Sequence, residues 1–343
     1  MKILIAWTGV AGYAADCWRR LAARPDVELK VIVEPQVIGR EFDTARTLHD
    51  LDYYIVSSVE ELNETDVGQP DIMFVCGWRS RIIRSLVSSS AMRNVPKILC
   101  FDMPWRWQMR CIAARFVLWP YLRKFEGVLV PGRMAAKYAR WLGFPKECIF
   151  YGMYSIDTRK FAAAALPYSV ICKDFLYIGR NAQVKRLDIL EKAYARYREL
   201  GGTWRLDIYG GENFVQPDSV PQLYATHAAL VLSSDFEPWG MVVLEAAAAG
   251  LPVICTDVCG VRHELVRDNG IVVPHGNVDA FARAMLRMER EYASFDRKQG
   301  VALAAEYDCD RWADRVQFIV RKMFGCDASG VRVRRSLCGV RRH

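Results

Sequence analysis

Short apolar runs of strand length recur along the chain, and each is followed by a stretch in which apolar side chains return every three or four residues. In the first half the runs are KILIAW (2–7), VELKVIV (27–33), DIMFVCGW (71–78), KILCFDM (97–103) and GVLVPG (127–132). The second half repeats the pattern with FLYIGR (175–180), WRLDIYG (204–210), AALVLSS (228–234), PVICTD (252–257) and GIVVP (270–274). Runs that are apolar at nearly every position suit parallel strands covered by helices on both faces. The alternation therefore predicts an α/β protein with two doubly wound parallel-sheet units. The alanine-rich FAAAALPYSVICKD near 160–173 marks the seam, giving an N-terminal domain over 1–165 and a C-terminal domain over 166–310. Beyond them, RWADRVQFIVRKMF spaces Trp312, Val316, Ile319, Val320 and Met323 on one face. It predicts a helix over 311–325 that bridges back to the N-terminal domain. Residues 326–343 hold too few apolar side chains to build structure and read as a disordered basic tail.

Composition narrows the class. Of 343 residues, 52% are hydrophobic and 25% charged, which excludes a disordered or fibrous chain and supplies enough apolar surface for two cores. No apolar run approaches the roughly 18 residues of a spanning helix. The opening KILIAWTGVAG meets Asp16 and Arg19 too soon for a secretory segment, so a cytoplasmic location is expected. The eleven cysteines lie singly in apolar stretches, as at Cys76, Cys100, Cys172 and Cys255, without a CxxC pair. They read as reduced core thiols rather than a disulfide or zinc framework, and no protein-built metal site is expected. The net charge of +8 is uneven: residues 77–125 hold ten Lys or Arg against the single Asp102, and the last fourteen residues add five arginines and no acid. The rest of the chain is therefore acidic, and the asymmetry points to an anionic partner.

The segment SSDFEPWGMVVLEAAAAGLPVICTD (233–257) carries the most chemistry. It reads as a strand end, Pro238 near a helix start, the helix GMVVLEAAAA, and Gly250 with Pro252 opening the next strand. A helix that begins at the carboxyl end of a parallel strand presents free backbone N–H groups to a ligand, and such an end holds an anion. Glu237 just before this helix and Glu245 within it suit sugar hydroxyls, whereas a phosphate belongs between them, on the N–H groups of Trp239, Gly240 and Met241. The plainer reading makes Glu237 a helix-start acid favoured by the dipole and Glu245 a solvated helix residue.

Glu237-Pro238-Trp239-Gly240, with Glu245-Ala246 and Gly250-Leu251-Pro252-Val253, resembles the E-x7-E signature of the retaining family-4 glycosyltransferases of the GT-B fold. The resemblance extends to Tyr177-Ile178-Gly179-Arg180, Lys185-Arg186, Gly260, Glu264-Leu265 and Asn269-Gly270, and covers most of 148–285. It implies two Rossmann-like domains facing a central cleft and a nucleoside-diphosphate sugar as the donor substrate, with no cofactor and no metal. It further implies that Arg180 and Lys185 bind the diphosphate, aided by Arg186, that Glu237 holds donor-sugar hydroxyls, and that Glu245 holds the ribose. A surface cluster of cations is the alternative for Arg180, Lys185 and Arg186.

In the first domain, Gly9-Val10-Ala11-Gly12 follows the first strand, and Gly9 and Gly12 would let the backbone approach the donor closely. Two glycines in such a turn also serve the turn alone. Asp102 ends the fourth run and is a candidate for orienting the acceptor hydroxyl, a structural cap or ion pair being the alternative. Relatives often place a histidine near this region, and none is evident here. The stretch between Gly210-Gly211 and Ser233-Ser234 is also short, so the second domain reads as trimmed.

The segment 105–125 combines Trp105, Trp107, Phe116, Trp119, Tyr121 and Phe125 with Arg106, Arg110, Arg115, Arg123 and Lys124, and has no acid. Aromatics beside cations describe an interfacial segment for an anionic membrane surface or a lipid-linked acceptor. A buried helix with outward arginines, or single-stranded nucleic acid, are the rival readings, and nucleic acid is not the partner expected. The whole sequence thus predicts a retaining glycosyltransferase acting on a saccharide or lipid-linked acceptor, in cell-surface polysaccharide or glycolipid synthesis, peripheral on the inner face of the plasma membrane. The alternatives are an inactive sugar-nucleotide- or membrane-binding protein of the same fold and a dinucleotide oxidoreductase. The latter is disfavoured because no GxGxxG with a following acid occurs.

Overall fold

A computed structural model of the chain describes residues 1–35, 44–162, 172–180, 182–210, 213, 215, 216 and 219–324. It divides into two compact units, Met1–Ser155 with the chain from Cys309 onward, and Ile156–Asp308. The first crossing thus comes earlier than the expected 165. Ile156 pairs with Asp308 through the backbone, and Asp308 accepts from the Thr158 amide at 3.1 Å and hydroxyl at 2.7 Å, which ties this stretch to the second unit. The expected tail, 326–343, lies outside the described residues.

Unit 1 runs β1 (Lys2–Thr8), α1 (Gly12–Ala22), β2 (Glu28–Glu34), α2 (Thr44–Leu48), β3 (Tyr53–Ile55), α3 (Val59–Glu64) and β4 (Ile72–Cys76). It continues with α4 (Arg81–Ser88), β5 (Lys97–Cys100), α5 (Met109–Val117), α6 (Trp119–Leu122), β6 (Gly127–Val130), α7 (Arg133–Trp141) and β7 (Ile149–Tyr151). Its strands form one seven-stranded parallel sheet in the order β3-β2-β1-β4-β5-β6-β7. Because parallel strands need helical crossovers, both faces are covered, and two apolar layers result. The last helix among the described residues, Cys309–Phe324, completes one layer beside α1 with the predicted Trp312, Val316, Ile319, Val320 and Met323.

Unit 2 runs α8 (Thr158–Ala162), β8 (Asp174–Ile178), α9 (Leu187–Glu199), β9 (Arg205–Tyr209), α10 (Val220–Thr226), β10 (Ala229–Leu232) and α11 (Met241–Ala248). After these come β11 (Val253–Thr256), α12 (Arg262–Leu265), β12 (Gly270–Val273), α13 (Val278–Arg290) and α14 (Arg297–Ala305), so the final helix, Cys309–Phe324, is α15. The five parallel strands take the order β12-β11-β10-β8-β9. Each sheet changes direction of winding once, between β1 and β4 in unit 1 and between β8 and β10 in unit 2.

Cys17, Cys76, Cys100, Cys111, Cys172, Cys255, Cys259 and Cys309 are free thiols, whereas Cys148 is disulfide-bonded and departs from the reduced-thiol expectation. No helix among the described residues is long and apolar enough to cross a membrane.

Candidate functional site

Where a parallel sheet reverses its winding, the loops leaving the two strands diverge and open a crevice at their carboxyl ends. In unit 2 those strands are β8, followed by Gly179-Arg180, and β10, followed by Ser233 to Glu237. Lys185 and Glu237 meet there as an ion pair whose side chains are only 16% and 12% exposed, with the Ser234 hydroxyl 3.4 Å from the same carboxylate oxygen. The two loops are tied together: Ser233 Oγ donates to the carbonyls of Lys185 (2.9 Å) and Arg186 (3.0 Å), and the Asp235 amide donates to the Val184 carbonyl (2.9 Å).

The cations of this crevice differ in what they have left to offer. Arg180 is exposed and pairs with no acid among the described residues. Arg186, left-handed at φ 51° where α9 begins, is held by Asp188 at 2.8 and 2.9 Å and by Asp235, and these acids raise its pKa. Its guanidinium is therefore already occupied, which favours the structural alternative for this residue. Sequence spacing did not reveal the two carboxylates that hold it, Asp188 in the first turn of α9 and Asp235 in the loop after β10.

The turn into α11 is built on Gly240, whose φ of 108° suits glycine and where a Cβ would stand 2.7 Å from Cys259 Sγ. The Gly260 amide donates to the Glu237 carbonyl (2.9 Å) and the Val261 amide to the Trp239 carbonyl (2.8 Å), strapping this turn to the loop after β11. The backbone N–H groups of Trp239, Gly240 and Met241 donate to no acceptor among the described residues, and α11 adds the positive end of its dipole. The Trp239 indole is buried against Tyr307, so what Trp239 offers a ligand is its backbone.

Glu245, in the second turn of α11, is half-buried, and its Oε2 accepts from the Tyr224 hydroxyl at 2.7 Å. Burial pushes its pKa up, and the bond from Tyr224 opposes the shift in part. It is thus a held carboxylate, not a solvated one. Tyr224 was not foreseen: as an aromatic in a short helix it reads as core, and it is indeed buried against Phe161.

The remaining candidates lie in unit 1. Gly9 has φ 68° and its amide donates to the Glu34 carbonyl (3.2 Å), so that amide serves the turn. Gly12 opens α1 with no described heavy atom within 4 Å of where a Cβ would sit. Asp102, beyond β5, accepts from the Tyr154 hydroxyl at 3.0 Å. Burial first, and then the Asp102 charge, hold the Tyr154 phenol well above its ordinary pKa.

The basic aromatic segment sorts into two populations. Tyr121 and Phe125 are core residues, and Trp105 packs on Trp141 with ring centroids 4.7 Å apart. Arg115 lies over the Trp141 ring, Lys124 donates to Ser88 Oγ (2.8 Å), and Arg110 donates to Gln108 Oε1 (2.8 Å). Arg106 and Trp119 are half-buried, and Arg123 is exposed. Trp107 (84% exposed) and Phe116 (70%) do project, together with Met109 (79%) and Val117 (74%), which the pattern of aromatics and cations does not single out. Among the described residues, no group of three or more His, Cys, Asp or Glu side chains could hold a metal ion.

Two parallel-sheet α/β units with this connectivity make up the GT-B fold. Residues 172–291 match the family model described as "Glycosyl transferases group 1". Among curated relatives, the O-antigen chain mannosyltransferase B of Escherichia coli is 30% identical over 96 residues, 27% of this chain and 25% of that protein. The lipopolysaccharide glucosyltransferase WaaG of Escherichia coli K12 is 29% identical over 119 residues, 35% of this chain and 29% of the relative. The chain therefore spans about a quarter of the length of the curated relatives it matches first. In fold the likeness is far broader. Anabaena HepE, solved in complex with UDP, superposes with a TM-score of 0.73 over 94% of this chain and 100% of its own, at 15% identity. The lipopolysaccharide outer core galactosyltransferase WaaB does so at 0.69 over 94% and 99%, at 17% identity.

Proposed function

We propose that the chain is a glycosyltransferase that moves a sugar from a nucleoside-diphosphate donor to a hydroxyl acceptor with retention of configuration, in cell-surface polysaccharide or glycolipid synthesis at a membrane surface. The observation that carries this reading is the meeting, at the reversal point of the unit 2 sheet, of the Lys185–Glu237 pair with Arg180, which pairs with no acid among the described residues, and with the N–H groups of Trp239, Gly240 and Met241, which find no acceptor among them. The family model over 172–291 and the UDP held by HepE support it.

In the proposed step the bond between the anomeric carbon and the diphosphate oxygen breaks, and the acceptor oxygen bonds the same carbon on the same face. The acceptor proton passes to the departing phosphate oxygen. The diphosphate gains negative charge as it leaves, so Arg180, Lys185 and the α11 N-terminus stabilise the transition state more than the ground state. Glu237 orients donor hydroxyls, Glu245 the ribose, and Asp102 the acceptor hydroxyl. The protein supplies the neutralising charge in this scheme, so EDTA should leave turnover unchanged.

Release of nucleoside diphosphate in the presence of donor and acceptor tests the reading. A charge-assisted contact contributes about 1.5–3 kcal/mol, so Arg180→Ala, Lys185→Ala and Glu237→Ala should each lower kcat/KM by roughly 10- to 100-fold or more. Full activity of Lys185→Ala and Glu237→Ala with every donor the parent uses refutes it.

A further inference from the structure

Tyr177, near the end of β8, is fully buried, yet its hydroxyl has no hydrogen-bond partner among the described residues. Buried phenols nearly always find one, because burial strips the hydroxyl of water. Tyr177 and Gly179 lie on the same side of the strand, and the hydroxyl stands 2.7 Å from where a Cβ on Gly179 would be. The side chain therefore runs up to the carboxyl edge of the sheet, into the space that Gly179 leaves open. Burial and then the nearby charge of Glu237 raise its pKa to about 12. Parallel pairing with β10 puts Tyr177 on the sheet face that also carries Ser233, whose Oγ holds the Lys185 and Arg186 carbonyls, so the phenol lies beneath the turn whose Lys185 binds Glu237. It does not bond Glu237, which is turned to Lys185 and Ser234.

We propose that Tyr177 is a positioning residue for Glu237: its hydroxyl becomes the carboxylate's donor when a nucleoside diphosphate draws Lys185 away. The proposal rests on the donor-binding reading of this site. A diphosphate carries more charge than one carboxylate and competes for Lys185. Glu237, only 12% exposed, is then left without its cation, an arrangement that is strongly unfavourable unless other donors replace it. Tyr177 and Ser234 are the hydroxyls in place to do so. Bonded to them, Glu237 stays ionised and oriented toward donor hydroxyls instead of toward its former partner. In the free protein the same hydroxyl is unsatisfied, which predicts an unusual signature: its removal harms the bound state and not the free one.

A double-mutant cycle on the free protein tests this without any ligand. Lys185→Met mimics the withdrawn lysine. Tyr177→Phe should leave the thermal midpoint of the parent unchanged or raise it, but should lower the midpoint in the Lys185→Met background. Equal effects in the two backgrounds, or a lowered midpoint in the parent, overturn the proposal. With the intact chain, binding of UDP, GDP and ADP and of their glucose conjugates is measured by calorimetry. Tyr177→Phe should weaken the best of these about tenfold, and unchanged affinity overturns the proposal. If the parent itself binds none of the panel, the donor-binding reading falls and the inference falls with it, whatever the cycle gave.

Discussion

Gly240 sits at the point where backbone conformation and ligand chemistry meet. Its φ of 108° places the first turn of α11 so that the N–H groups of Trp239, Gly240 and Met241 find no acceptor among the described residues, and Cys259 Sγ closes the space where a side chain would go. Gly240→Ala imposes both left-handed strain and a 2.7 Å contact, and should destabilise the protein by about 1–3 kcal/mol in urea unfolding. Glu245 makes a different prediction. Its folded pKa lies above the unfolded value of about 4.3, so the folded state binds the proton more tightly. Its contribution is fully present below that unfolded value and is lost as pH rises through the folded pKa. Glu245→Gln, which can still accept from Tyr224, should therefore gain stability relative to the parent at pH 7 and lose that advantage at pH 4, as read from urea midpoints at the two pH values. At this scale Glu237 and Glu245 stood out in the sequence beside and within the apolar helix GMVVLEAAAA, whereas Arg180 and Lys185 were singled out through the family resemblance. It concealed Tyr177 and Tyr224, because an aromatic in an apolar run looks like core whether or not its hydroxyl has work to do.

At the scale of elements, α5 is the exception to the apolar-inward rule. Only Cys111 of its nine residues is buried, while Met109, Phe116 and Val117, with Trp107 just before it, stand 70–84% exposed beside Arg110 and Arg115. Such a side chain gains about 1.5–3 kcal/mol on transfer from water to an apolar phase. Trp107→Ser with Phe116→Ser should therefore weaken partition onto vesicles containing anionic lipid by about 100-fold or more, in a sedimentation assay, without lowering the thermal midpoint. Raised salt should weaken the parent's partition as well, because the neighbouring cations are screened. The strands that sequence patterning missed are informative in the same way. β3 and β7 are three residues each and form the two edges of the unit 1 sheet. An edge strand is paired on one side only and needs neither length nor continuous apolar character, so it leaves little periodicity to detect. The five inner strands of unit 1 and the five strands of unit 2 announced themselves as apolar runs, which burial on both faces demands of the inner ones.

The chain as a whole folds as two units, and α15 shows how the polypeptide closes the first of them from its far end. The periodicity of 311–324 was legible in the sequence, and with it the need for a partner, since an apolar helical face states that something must cover it. In the structure α15 buries Trp312 in the layer shared with α1, and the indole N–H donates to the Met153 carbonyl at 3.0 Å. Met153 follows β7, so this bond fastens the last helix to the last strand of unit 1. Unit 1 is therefore complete only when the final helix docks, whereas every strand of unit 2 lies in one continuous stretch, Ile156–Asp308. Trp312→Ala removes a large buried side chain and should destabilise unit 1 by about 3–5 kcal/mol. Hydrogen exchange resolves the consequence by region. Amides of β1, β4 and β5 should lose protection in Trp312→Ala, while those of β8, β10 and β11 keep theirs. Uniform loss across both sheets would mean that the two units unfold as one.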